Sequence, residues 1–538
     1  MKKNIRQSHI VLIVAVAVAA GFAAGSFLAM RTRVGIGSPV RMASANGDRG
    51  LQEAVSTIAR NYVDSISPDT LVTLALDGLL HGLDPHSSYV PPSNRKETEE
   101  TMMGNFYGIG MQMHMAHDTC CAGGIVAGGG AEAAGMQVGD RILMIDGDTV
   151  AGKGMSTDEI RHRLRGERGT RIVLTVQRYG ERDTRQLHVH RDLVRVPSVA
   201  YSGMLDGEVG VVMLTDFHDG TYQEVHNAIA ALKRQGMTHL LLDLRSNGGG
   251  LMDQAIRIAD DLLPAGRLIT YTNGNKQPRT DYRSHRKGEF SQGDITVLID
   301  EGSASASELL TGALQDNDRA TVVGRRSFGK GLVQHVYPLS NGGSLILAVA
   351  RYYTPSGRCI QRPYDKGVES YYLDRMQESI AEGFDSSLIA ITDSTPYLTM
   401  QGRTVYGGGG IYPDHVIPYS SDTLLGRVRS YCRAAHIEEF VFRYVAAHWD
   451  ELRKTYSSAD DFVARYRTPA SLIDSFVGQA SAAGRKLPSS ARTQQLLSSY
   501  LKAELGRMLF DIRAYSGSLV GLDPDVRKAL EIIQAHHK

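Results

Sequence analysis
Ser305 and Lys330 lie in one short stretch of this chain and together could make a nucleophile. A serine hydroxyl attacks a carbonyl only when a base takes its proton, and a lysine amine can do so only when uncharged. Desolvation in an apolar pocket supplies the required fall in pKa. Phe328, Leu332 and Val333 are suitable lining, and Gly329 and Gly331 flank the lysine. An oxyanion would be held by backbone N–H groups at a helix start, which lack intrahelical partners.

The flanking pattern supplies the elements that must position these groups. Residues 295–300 are a short apolar run of β-formers, followed by a small-residue turn at 301–304. Apolar residues Leu309, Leu310, Ala313 and Leu314 then recur at helical spacing over 305–315. A second strand at 320–323 leads into a glycine-rich loop carrying the lysine. Such a strand–turn–helix unit presents the turn's side chain at the carboxyl edge of a sheet. Two other readings share these residues. Ser305-x-x-Glu308 is also a capping box, in which Ser305 only caps the helix. The segment 324–331, GRRSFGKG, nearly matches a phosphate-binding loop, but Gly331 stands where the metal-binding hydroxyl belongs and a strand pattern follows. Nucleotide binding is therefore rejected.

GSASASE at 302–308, Gln315-Asp316 and FGKGLVQ at 328–334 resemble, in order and spacing, the core motifs of the C-terminal processing peptidases. That resemblance implies an α/β fold with a crotonase/ClpP-like αβ peptidase core, an inserted β-rich PDZ domain, an N-terminal helical region and a C-terminal helical extension. It makes Ser305 the nucleophile, Lys330 the general base and Gln334 the partner of the lysine. Asp316 matches an acidic position of some members and would lie about three helical turns from Ser305, on nearly the same face. LLLDLRSNGGG at 240–250 implies Gly249 as an oxyanion donor beside the Ala306 N–H. Members often carry proline at 248, where this chain has glycine. The same glycines are also read as a tight strand-to-helix turn and nothing more.

Residues 98–192 resemble a PDZ domain through FYGIGM at 106–111, AEAAGMQVGDRILMIDG at 131–147 and a late alternating strand at 171–178. Tyr107, Gly108, Ile109 and Gly110 would bind the carboxylate of a peptide whose backbone adds to a strand edge. Gly123, Gly124 and 128–130 are expected in a loop beside that groove. LDPHSSY at 83–89 resembles the segment before the PDZ domain, with Asp84 and His86 fixing a turn. TPSGR at 354–358 and GGGGIYPD at 407–414 resemble later motifs of the core. The expected division is 1–46 anchor or signal and linker, 47–97 helical, 98–192 PDZ, 193–418 peptidase core and 419–538 helical.

Composition narrows the class. Among 538 residues, 59 Lys and Arg balance 58 Asp and Glu, so charge offers no pull toward nucleic acid. Residues 10–30 are an uncharged run preceded by Lys2, Lys3 and Arg6, long enough to cross a bilayer. An uncleaved anchor is favoured over a removed signal, and the resemblance implies a bacterial envelope with the catalytic part in the periplasm. Four cysteines without C-x-x-C, and histidines without H-E-x-x-H, give no metal or redox motif. No cofactor is expected. The expected partners are protein or peptide tails, the membrane through the N-terminal segment, and further copies of the chain through its helical regions. The expected activity is that of a serine endopeptidase, against the alternative of a catalytically silent PDZ scaffold or holdase.

Overall fold
The computed structural model describes residues 45–285, 288–389, 391 and 393–536. The chain divides into two compact units. The expected membrane span at 10–30 lies outside the described residues. Among those described, no helix is long and apolar enough to cross a membrane.

Among the described residues, the first unit comprises those within 45–103, 215–230 and 243–418. Strand Asp294–Ile299, helix Ala306–Asp316 and strand Thr321–Gly324 form a parallel strand–helix–strand unit, with Ile299 opposite Gly324. Strand 294–299 is buried at every position after Asp294, as an apolar run covered on both faces requires. All eleven helix residues are buried, so polar ones such as Glu308, Gln315 and Asp316 are present only because each finds a partner. Strand His415–Val416 extends the sheet in parallel beside Thr321–Gly324.

A second, antiparallel sheet centres on the long strand Ser344–Tyr353, which pairs with Ser88–Val90, Leu268–Asn273 and Leu332–Pro338. It therefore ties the N-terminal segment to the strand that follows Lys330. Two N-terminal helices, Ala45–Asn61 and Pro68–His81, precede it, the second capped by the Ser67 hydroxyl accepting from Thr70 N–H at 3.1 Å. The inserted segment after 364 forms helix Val368–Phe384, whose Arg375 donates to the carbonyls of Arg326 and Ser327 at 2.7 and 3.0 Å.

The second unit comprises 104–214, 231–242 and 419–538. It holds an antiparallel sheet whose edge strand Met111–Ala116 pairs with Thr119–Ile125, and a helical C-terminal region. The expected helical region there contains helices Ala459–Arg465, Ala491–Leu509, Ile512–Leu519 and Pro524–His536. Thr423–Ala434, Ile437–Thr455 and Ala470–Ala482 are further helices there. All four cysteines are free.

The expected loop at Gly123 and Gly124 is instead part of strand Thr119–Ile125. A Cβ on Gly123 would lie 2.8 Å from the His114 Cβ, and one on Gly124 would lie 3.0 Å from the Gln112 side chain. These glycines let two side chains of the neighbouring strand fold over them.

Asp316 closes the far end of its helix. Its carboxylate accepts from Arg358 at 2.7 Å and from the Ser356 N–H and hydroxyl at 3.0 and 2.6 Å, with Arg358 fully buried. Asp316→Ala would leave a buried guanidinium without its counter-charge. It should lower stability by about 3–5 kcal/mol, read as a shift of the urea midpoint.

Candidate active site
Ser305 is the residue before the first helical residue Ala306, at φ 57° and ψ −114°. A non-glycine residue at positive φ costs about 1–3 kcal/mol and persists only where its surroundings over-determine it. Here they do. The Ser305 N–H donates to Glu308 Oε2 at 2.8 Å, and the Ser305 carbonyl accepts from Leu309 N–H at 2.8 Å and the Tyr352 hydroxyl at 2.9 Å. Glu308 thus makes its side of a capping box with Ser305, whose buried hydroxyl has no hydrogen-bond partner among the described residues. That hydroxyl sits at the positive end of the helix dipole, available for chemistry rather than spent on capping.

The turn before it is held by Asp300, whose Oδ1 accepts from Ser246 N–H at 2.7 Å and Gly302 N–H at 3.0 Å. Ser303 donates its hydroxyl to the Leu244 carbonyl at 2.7 Å. The glycine loop after Leu244 is thereby fixed against the turn that carries Ser305.

Lys330 is fully buried. Its Nζ donates to Gln334 Oε1 at 2.9 Å, and Gln334 Nε2 donates to the His86 carbonyl at 2.7 Å. A carbonyl can only accept, so the His86 contact fixes the amide with its oxygen toward the lysine. His86 itself lies on a turn made by Asp84, which accepts from the N–H groups of His86 and Ser87 and from the Ser87 hydroxyl. Rings of His86, Phe328, Tyr371 and Tyr372 pack edge-on or tilted with centroids 5.2–6.5 Å apart. Burial lowers the Lys330 ammonium from 10.5 to about 7, against the opposing pull of the Asp84 and Glu308 carboxylates. Burial likewise depresses His86, with Lys330 adding to the effect, so that imidazole is held neutral.

Glu308 joins the two halves. Its Oε2 accepts the N–H groups of Ser305 and Lys330, each at 2.8 Å. Its Oε1 accepts the Ser327 hydroxyl at 2.5 Å and the Gly329 N–H at 2.7 Å. Burial pushes this carboxyl up to about 7, while the four donors favour its charged form. Tyr352 adds a second bridge, since its one hydroxyl contacts both the Ser305 and Lys330 carbonyls, at 2.9 and 2.6 Å. Ser305, Lys330 and Gln334 are all buried, and Glu308 and Tyr352 tie the backbone of the serine turn to that of the lysine loop. Asp316 stands apart from them, lying about 16 Å along the helix from Ser305. Sequence reading met Glu308 only as a capping residue and missed Tyr352. A glutamate three residues after a small-residue turn was the available signal for the first, and nothing local marks the second.

The glycine loop corrects one expectation. Gly249 has φ +101°, and a Cβ there would lie 2.7 Å from the Ser305 Cβ and 2.9 Å from the Ala306 nitrogen. Its N–H, however, donates to Asn247 Oδ1 at 2.9 Å. The residue is glycine because the backbone approaches the serine this closely, and its N–H already has an acceptor. The Ala306 N–H, first in its helix, has no intrahelical acceptor by position.

In the second unit, Tyr107 and Gly108 pair with Leu193 and Asp192 in a short ladder. Ile109 and Gly110 form the following turn, with Gly110 at φ +74°. Their carbonyls accept from Ala131 and Val126 N–H at 2.7 and 2.9 Å.

A serine at a strained strand-to-helix turn on an αβ core is an arrangement that serine hydrolases use. Family models agree: peptidase family S41 matches residues 208–370, a PDZ domain 123–178, and a family of unknown function (DUF8443) 429–511. A carboxy-terminal-processing protease of Bartonella bacilliformis is 37% identical over 309 residues, covering 56% of this chain and 70% of that one. A probable CtpA-like serine protease of Staphylococcus epidermidis is 31% identical over 351 residues, covering 64% and 68%. The chain belongs to the C-terminal processing peptidases of family S41, serine hydrolases with a PDZ domain.

Glu308→Gln would set an amide N–H₂ against two donors already converging on one oxygen. Orphaning them should cost about 3 kcal/mol and loosen both the serine turn and the lysine loop. A lowered unfolding midpoint together with lost activity would be the readout.

Proposed function
We propose that this peptidase works through a Ser305–Lys330 dyad and an acyl-enzyme, cleaving proteins near C-terminal tails captured by its PDZ domain. The observation that supports the reading is a desolvated Lys330 Nζ held by Gln334, on a loop tied through Glu308 to the turn of a buried Ser305 hydroxyl that makes no hydrogen bond of its own. Neutral Lys330 takes the Ser305 Oγ proton as the oxygen attacks the scissile carbonyl. The Ala306 N–H and the helix N-terminus stabilise the oxyanion. Gly249 joins them only when its N–H leaves Asn247 Oδ1. Lys330 then protonates the leaving amine, and water hydrolyses the ester by the same route in reverse. Gln334 keeps Nζ aimed at the hydroxyl.

Tail capture rests on the PDZ match and on the unpaired side of edge strand Met111–Ala116, with residues Tyr107 to Gly110 at the carboxylate end. The apolar segment at 10–30 would anchor the protein to the envelope membrane.

Incubation with an unfolded protein, followed by mass spectrometry of the products, tests the activity. Ser305→Ala should abolish fragments while retaining peptide binding, and persistence of fragments would refute the assignment. Because the base must be neutral, kcat/KM should fall about tenfold per pH unit below about 7 and level off above it. A profile flat from pH 5 to 9 would exclude a lysine base.

A further inference from the structure
The family of unknown function at 429–511 overlaps a helix, Ile437–Thr455, that presents one stripe of residues to the PDZ domain. Glu439 Oε2 meets His114 Nε2 at 2.8 Å. Phe442 stacks on the His114 ring, with centroids 4.2 Å apart and planes at 26°. Ala446 lies so close to Gly139 that a Cβ there would approach its own Cβ at 2.4 Å. Gln137 Nε2 donates to Asp450 at 3.1 Å, and Arg453 meets Glu132 at 3.3 Å. Positions 439, 442 and 446 follow helical spacing before a kink at His448, and 450 and 453 carry the contact on beyond it. Beneath them one hydrophobic core takes in Cys121, Ile142 and Ile172 from the sheet and Phe442, Val445 and Leu505 from the helices.

The contact falls on a functional strand. His114 belongs to Met111–Ala116, the edge strand that receives the tail in the reading above, on which this inference rests. Within that strand, Met111, Met113 and Met115 alternate with Gln112 and His114. The Gln112 and His114 side lies over Gly123 and Gly124, and those absent side chains give the His114 ring room against Phe442. An edge strand that must pair with an incoming peptide binds more tightly when it is already ordered, since less freedom is lost on association.

We propose that residues 429–511 brace the tail-receiving strand: helix Ile437–Thr455 clamps His114 from the side away from the methionines and so sets the affinity for substrate tails. The stripe is thereby spent inside the chain and is not a surface for self-association.

The test uses the full chain carrying Ser305→Ala, so that bound peptide is not cleaved. Two quantities are measured: amide exchange at 111–116, and anisotropy of a fluorescent decapeptide with apolar terminal residues and a free carboxylate. Phe442→Ala should raise exchange at 111–116 at least tenfold above the change elsewhere and weaken peptide binding five- to tenfold. Phe442→Tyr, which keeps the stacked ring, should restore both. Should Phe442→Ala not fold, Glu439→Ala cuts the same clamp without emptying the core and should move both readouts in the same direction. A folded variant with unchanged exchange at 111–116, or with a uniform rise across the chain, would overturn the brace. If the parent protein binds no peptide, the tail-groove reading fails, and the exchange result alone decides the brace.

Discussion

One buried carboxylate holds the peptidase site together. Glu308 takes its proton donors from the serine's own N–H and from three positions of the lysine loop, so the serine turn and the lysine loop meet on two oxygens. A carboxylate enclosed this fully is tolerated only because every lone-pair direction is answered. Losing one partner would leave a charge without solvent or donor. The serine turn and the lysine loop, which follow the carboxyl ends of two adjacent parallel strands, are thereby tied to each other.

The same dryness that makes Glu308 demanding makes Lys330 useful. The wall of Phe328, His86, Tyr371 and Tyr372 removes water from the ammonium, and its pKa falls because the charged form loses its solvation. Two carboxylates, Asp84 and Glu308, oppose the fall, which keeps the lysine near neutrality instead of permanently uncharged. Gln334 supplies direction without charge. Its amide is oriented by the carbonyl of His86, so the N-terminal segment completes the site by a backbone atom and not by a catalytic side chain.

The glycine loop and the PDZ strand show one rule applied twice. At Gly249 the missing side chain admits backbone close to Ser305, and at Gly123 it admits the His114 side chain of a neighbouring strand. In both places the glycine serves a close approach, and only Gly249 also serves an unusual φ. The proposed brace makes the C-terminal helices part of the binding apparatus, since the core beneath them is continuous with that of the PDZ sheet.

Local pattern carried much of this. Periodicity located the strand, turn and helix around Ser305 to within a residue, because burial on both faces of a parallel strand and all round a helix leaves apolar runs. Small residues at 302–307 announced the turn. Asp316 lies about three helical turns from Ser305, as its spacing indicates, and what spacing could not tell is that its carboxylate pairs with Arg358 at that end of the helix. Gly249 misled on chemistry, since a glycine pattern records where backbone can pass but not whose oxygen takes its N–H. The amino-acid sequence by itself determined which residues could react and which local turns they occupy, because φ preferences and hydrophobic period act over a few neighbours. Tertiary structure alone decided that Glu308 joins serine to lysine, that His86 aims Gln334 and that His114 meets Phe442. Desolvation and hydrogen-bond partners are chosen by groups far apart in the chain, and no local period encodes them.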